Sequence, residues 1–314
     1  MPRVLELTLL HHAFLDRPAV GAERRAIHVE QGDRPAAHVI QLWLAAALYL
    51  GGFAIGCVQL LLRRQNTPGG RTLLIGLLAF GLSTQTAGLY VRGMATGGCP
   101  LGNQFEIVQF VAWSAMVLYF VVGPAFRVSL LGLFTSGYAA SLALISLGIP
   151  QWDAVRNARI FPNAWIEFHA ALAVFSYGVF GLLALTSAMH LLQNWALKQK
   201  RLDGLFWFLP SLVQLNQINQ RMLLAGVGLL TVSLAVGAAW WVRDFNSVYW
   251  PKLLTTISVW VIYSVVLVLR WRGKLFGPRF SWACVILFVL AMMSLGPINR
   301  NTRDHRVILT PEQN

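Results

Sequence analysis

Charge is scarce in this chain. Only 12% of its 314 residues are Asp, Glu, Lys or Arg, while 56% are hydrophobic. That balance excludes an ordinary water-soluble globular protein, in which about a quarter of the residues are charged. Cysteine is scarcer still, with Cys57, Cys99 and Cys284 alone. Three widely spaced cysteines give neither a disulfide framework nor a CxxCH attachment site, and redox-active dithiol chemistry is not expected. Acids are few as well, 12 against 25 Lys and Arg, for a net charge of +13. Residues 1–38 lack an uninterrupted apolar core followed by a small-residue cleavage site, so no cleavable signal peptide is expected there.

What fills the chain instead is a series of apolar runs, each long enough to cross about 30 Å of hydrocarbon, which takes roughly 20 helical residues. They cover 39–62, 72–91, 105–126, 128–148, 168–193, 222–242, 253–270 and 280–296. The expected fold is all-α: a polytopic membrane helix bundle of about eight transmembrane helices. Residues 1–38 read as an N-terminal extension, 39–297 as the transmembrane domain and 298–314 as a C-terminal tail. No soluble catalytic domain is left over.

Orientation follows from the basic residues in the connections. One alternate set of loops holds twelve Lys and Arg, among them Arg63, Arg64, Arg71, Arg127, Lys198, Lys200, Arg201, Arg221, Arg270, Arg272, Lys274 and Arg279; the other holds five. The richer set is expected on the cytoplasmic side of a bacterial inner membrane, which leaves both termini outside. The same placement accounts for the positive charge by anionic lipid headgroups, and no nucleic-acid partner is expected.

Function must then be built from helix ends and the bundle interior. In the first outer loop, Asn103 and Glu106 are placed to cap the third helix, with Glu106 at the positive end of its dipole. The second outer connection leads through Trp152 and Trp165 to Glu167, His169, Ser176 and Tyr177. An ionisable group at this depth is a functional-site candidate, and His169 is the best single one; its bland alternative is an interfacial histidine bonded to Glu167 or to a backbone carbonyl. His190 lies 21 residues further along, about 31 Å away at 1.5 Å per residue, so the two cannot share one iron. It is expected near the cytoplasmic headgroups. The third outer connection crowds Trp240, Trp241, Tyr249 and Trp250 together. Such rings form either an aromatic belt or a platform for a flat porphyrin. Gly226, Gly228 and Gly237 are expected to allow close helix approach, and Gly123 with Pro124 a tight turn around Arg127.

Several of these segments together resemble the transmembrane cytochrome c assembly family (CcsA/CcmC-like), and within it the HemX/YpjD-like branch. Pro100-Leu101-Gly102-Asn103-Gln104-Phe105-Glu106 is similar to the family's P-x-x-N-x-[YF]-E signature, and Trp165 to Tyr177 to the segment carrying its first outer haem histidine. Leu209-Pro210-Ser211-Leu212, leading into a Gly-rich sixth helix, resembles the HemX type. The resemblance implies haem as cofactor, with His169 as a ligand to its iron and Trp240, Trp241 and Trp250 around it. It also implies other membrane proteins of a cytochrome or haem assembly complex, and membrane lipid, as partners.

The departures are specific. In the family's tryptophan-rich segment Pro251, Lys252, Trp260 and Tyr263 are kept. Trp250, however, stands at an Asp position, Leu253 at a Glu position and Thr255 at a Trp position. Leu295-Gly296-Pro297-Ile298-Asn299 replaces the run that would bring a second outer histidine, and Ser83 to Gly88 lacks a histidine as well. Candidates for a second axial ligand are His38, His305, Met292 and Met293. The expected function is binding or positioning of haem at the outer face, without catalysis of its covalent attachment. The alternative is a haem-free scaffold or regulatory subunit of a haem-biosynthesis or respiratory complex. A small-molecule transporter is disfavoured, since no inverted repeat and no charge at the span centres is visible.

Overall fold

A computed structural model describes residues 37–62, 68–126, 130–153, 164–200, 210–242 and 250–308, with side chains in the last segment described as far as Leu295. The bulk of the N-terminal extension, Arg127, Tyr249 and the side chain of His305 lie outside these residues. Among the described residues all regular structure is helical. The helices are α1 (Ala37–Leu61), α2 (Pro68–Thr96), α3 (Gln104–Phe126), α4 (Leu131–Gly148), α5 (Ala164–Lys198), α6 (Leu212–Trp241), α7 (Trp250–Trp271) and α8 (Gly277–Ile308), with a 3-10 turn at Pro150–Trp152 between α4 and α5. All eight are long and apolar enough to span a membrane.

The helices form two groups. α1 to α4 pack on one another, α5 packs chiefly on α6 and α8, and α3 meets α5 at the seam between the groups. At that crossing a Cβ on Gly178 would stand 1.8 Å from Ser114 Oγ, so only glycine lets the two backbones come this close. A chain of buried polar side chains ties the first group together. Tyr49 Oη donates to Gln85 Oε1 (2.8 Å), Gln85 Nε2 donates to Gln109 Oε1 (2.9 Å), and Gln109 Nε2 donates to Ser146 Oγ (2.9 Å). In hydrocarbon an unsatisfied amide is costly, so each link fixes its helix against the next.

Several boundaries differ from the hydropathy reading. α6 begins at Leu212, ten residues before the apolar run. Asn216, Gln217, Asn219, Gln220 and Arg221 lower the hydropathy there, but Ser211 starts the helix with a capping box closed by Gln214. α3 continues through Gly123 and Pro124 to Phe126, so no turn forms at that pair. Gly226 does admit a close neighbour, the Phe180 ring, whereas a Cβ on Gly228 would meet nothing within 4 Å; Gly228 is not a packing position. α2 runs on to Thr96, which draws Arg92 into the bundle. It ends in a Schellman motif: Gly97 adopts φ +69°, Gly98 N–H donates to Gly93 O (3.0 Å) and Gly97 N–H to Met94 O (3.3 Å).

Candidate functional site

The loop that follows α2 is built around Arg92. Its guanidinium is 7% exposed and is met from three directions. Nε donates to Glu106 Oε1 (2.8 Å), Nη2 and Nη1 both reach the Asp153 carboxylate beyond the 3-10 turn, and the plane lies 4.8 Å from the Phe105 ring centroid. Glu106 also accepts from Gly102 N–H (2.6 Å), and Asn103 Oδ1 accepts from Glu106 N–H (2.8 Å). The expected cap at Asn103 is therefore present, and Glu106 does more than favour the dipole: it is fully buried and neutralises a buried cation. The P-x-x-N-x-F-E pattern thus has a physical reading. Asn103 starts α3, Phe105 stacks on the guanidinium and Glu106 pairs with it. Arg92 and Asp153, 61 residues apart, were not singled out by sequence; the only signal available for each was a lone charge at the end of an apolar run.

His38 joins the same cluster. Its Nε2 lies 3.2 Å from Arg92 Nη1. Arginine only donates, so this nitrogen accepts and its lone pair is engaged. In this arrangement His38 serves the Arg92 cluster.

His169 lies at the same end of the bundle, on the first turns of α5, and is held by α6. Its Nδ1 is 2.7 Å from the carbonyl oxygen of Ser233 and 3.1 Å from Ser233 Oγ, which itself donates to His169 O (2.9 Å). A carbonyl only accepts, so Nδ1 carries the proton and Nε2 keeps its lone pair. Among the described residues Nε2 has no hydrogen-bond partner. The ring fits here because residue 237 has no side chain: a Cβ on Gly237 would stand 2.7 Å from His169 Cε1. Trp241, one turn further on, meets the imidazole edge to face, with ring centroids 6.0 Å apart and planes at 79°. Sequence reasoning found His169, Trp241 and Gly237 separately, but not Ser233.

The other tryptophans of this end differ in their burial. Trp240 is half-buried beside Trp241, Trp250 opens α7 and is 51% exposed, and Trp165 is 67% exposed. Among the kept aromatic residues, Trp260 Nε1 donates to Thr231 Oγ1 (2.8 Å), and Tyr263 stacks on Phe180 at 3.8 Å. These are interior packing roles. Thr255, where a tryptophan would be expected, lines a groove of about 190 Å³ between α7 and α8. Met293 is 69% exposed and Met292 packs against the core, so neither is turned toward His169 by any contact in the structure. His190 sits at the opposite end as expected, but it is 4% exposed rather than at the headgroups, with Nδ1 3.1 Å from Ser281 Oγ.

Cys99 is half-buried in the loop over the start of α5 and lines a hollow of about 530 Å³ with Tyr90, Met94 and Pro100. Burial, reinforced by the carboxylates of Glu167 and Glu106, pushes its thiol up to about 11. It is a poor nucleophile at neutral pH. No group of three or more His, Cys, Asp or Glu side chains able to hold a metal ion occurs among the described residues.

Residues 101–296 match the cytochrome c assembly protein family, a stretch that begins at the Arg92 loop and contains His169 and its α6 cradle. The chain belongs to that family. Among its relatives, Protein HemX of Brevibacillus brevis is 30% identical over 224 residues, covering 71% of this chain and 82% of that one. Protein HemX of Bacillus subtilis is 26% identical, covering 76% and 88%. The cytochrome c biogenesis protein CcsA of Guillardia theta is 22% identical, covering 69% and 78%. Family and helices together make this cytochrome c assembly protein a multi-pass membrane protein.

Proposed function

We propose that this protein holds haem, as cargo, at the His169 end of the bundle during cytochrome maturation, and that this end faces outside the cytoplasmic membrane. His169 Nε2 supplies one axial ligand and Trp241 flanks it. The observation that carries this reading is the bond between His169 Nδ1 and the Ser233 carbonyl. It fixes the tautomer that leaves Nε2 free to bind iron, and a backbone carbonyl behind a ligating imidazole is the usual support for a metal-bound histidine. The buried Arg92 cluster positions the loops around it. In this reading the protein acts by binding and orienting haem.

The visible spectrum and pyridine haemochrome of the purified protein, beside His169→Ala, test this. A Soret band near one haem per chain that shifts or disappears in the variant is the expected result. A haem-free scaffold in a haem-biosynthesis or respiratory complex is the second reading. It is favoured by Thr255 and Leu253 in the tryptophan-rich segment and by the exposure of Trp250. Absence of haem from both samples after expression with excess haem would decide for it.

A further inference from the structure

Arg270, near the opposite end of the bundle, is buried on terms that the haem reading does not use. It is 3% exposed, yet among the described residues no carboxylate lies within ion-pair distance of it. Nη2 donates to Asn216 Oδ1 (2.6 Å), Nη1 makes a long contact to Leu275 O (3.4 Å), and Phe276 and Phe280 lie 4.7 and 4.6 Å from the guanidinium carbon. Nε is buried with no partner. A plain helix-capping role does not explain this, because α7 is already closed by its own backbone. Gly273, at φ +70°, donates to Arg270 O (3.1 Å), and Lys274 N–H donates to Leu269 O (2.9 Å), which completes a Schellman motif.

A second, independent observation lies on α6. Asn219 is fully buried and both of its side-chain polar atoms lack partners. It stands three residues from Asn216 and so on the same face of the helix. A buried unneutralised cation and an unsatisfied buried amide are both costly unless something completes them. An anion with several acceptor oxygens can take the free donors of both, the Arg270 Nε–H and the Asn219 Nδ2 amide. The sequence around it favours one: the alternate set of connections to which its own belongs carries eleven Lys and Arg besides Arg270, against one acid, Asp203. Asn216 is half-buried and Phe276 is 54% exposed, so the edge of the site reaches the surface.

We propose that Arg270, with Asn216 and Asn219, forms a site for a phosphate group at the basic end of the bundle. Guanidinium forks match phosphate oxygens in pairs, and basic pockets between helices at this membrane depth accept phospholipid headgroups. The phosphate belongs either to an anionic lipid or to a free anion.

Thermal unfolding of the delipidated full-length protein in neutral detergent, with phosphatidylglycerol, phosphatidylcholine or inorganic phosphate added in turn, tests the site. The wild type is expected to gain Tm with phosphatidylglycerol and not with phosphatidylcholine, and Arg270→Gln to lose that gain. Lipid mass spectrometry of wild type and Arg270→Lys keeps the test open if Arg270→Gln fails to fold: the lysine keeps the charge but not the fork, and retains less anionic lipid. A gain with inorganic phosphate equal to that with lipid, again lost in the variant, supports the site and assigns it to a free anion. Equal gains in wild type and Arg270→Gln, equal lipid retention by wild type and Arg270→Lys, or no gain with either phosphate source, overturn the proposal.

Discussion

Among the described residues two arginines are buried, one near each end of the bundle, and they are handled in opposite ways. Arg92 is enclosed by Glu106, Asp153, His38 and Phe105, and every face of its guanidinium is answered within the chain. Arg270 has two aromatic rings, one amide oxygen and one distant carbonyl, and its Nε points at nothing. Burial alone therefore does not tell what a charge is for. A self-neutralised cluster is architecture: its removal breaks the fold. An incomplete cluster is an invitation to something from outside, and its removal should cost the fold less than it costs binding.

The sharpest way to break this contrast is Glu106→Gln. It strands Arg92 beside a half-paired Asp153, and the loss of one partner from a buried ion pair is expected to destabilise by about 3–5 kcal/mol. Chemical or thermal unfolding in detergent would register it, and a cost below that of Arg270→Gln would reverse the comparison. Next in size is Gly237→Ala. Its Cβ meets the His169 ring at 2.7 Å, so the imidazole must leave its place on Ser233. The expected outcome is loss of the haem Soret band together with roughly 1–3 kcal/mol of overpacking cost. Gly228→Ala on the same helix meets nothing and should be neutral to within about 1 kcal/mol, with the spectrum unchanged.

Arg270→Gln without added lipid removes a charge that no acid in the described chain balances. It should lower stability by only about 1–2 kcal/mol, the worth of its hydrogen bond to Asn216 and its ring contacts. Smallest is the pH effect at Cys99. Its native thiol titrates at about 11, above the ordinary cysteine value, so the folded state holds its proton longer than the unfolded one. Stability from this group is intact below the unfolded value and falls as pH rises toward 11. Labelling by an impermeant maleimide should accordingly be slow at pH 7 and accelerate with pH; a fast reaction at pH 7 would show the loop to be more open than the structure has it.

The bundle was legible because apolar runs of membrane length have few other uses, and all eight helices lie where those runs lie. The boundaries were less so. Hydropathy counts Asn216, Asn219 and Arg221 against a helix, while the backbone of α6 is decided by the Ser211 cap. His169 was legible as an isolated ionisable group at a helix entrance, and Trp241 as one of several rings at that end. Ser233 was not, because a serine within an apolar helix does not reveal its partner, and its shortest contact to the ring is through a backbone carbonyl that any residue would offer. Arg92 and Asp153 could not be paired from sequence: 61 residues, with two whole helices and a 3-10 turn, separate them, and only the packing of α1 to α4 brings them together. Trp250, which the resemblance places around the same haem, stands at the start of α7 and is 51% exposed.

The Arg92 cluster has a consequence for how the chain is made. Synthesis runs from the amino end, so the first helical hairpin is complete when Arg92 emerges, 14 residues ahead of Glu106 and 61 ahead of Asp153. Until both carboxylates arrive, the arginine is an uncompensated cation at the tip of α2 and holds that end at the water boundary. The hairpin can settle to its final depth only once the turn after α4 has been delivered. Glu106 answers the arginine first and Asp153 last, so the order of the chain is also the order in which this charge is closed in.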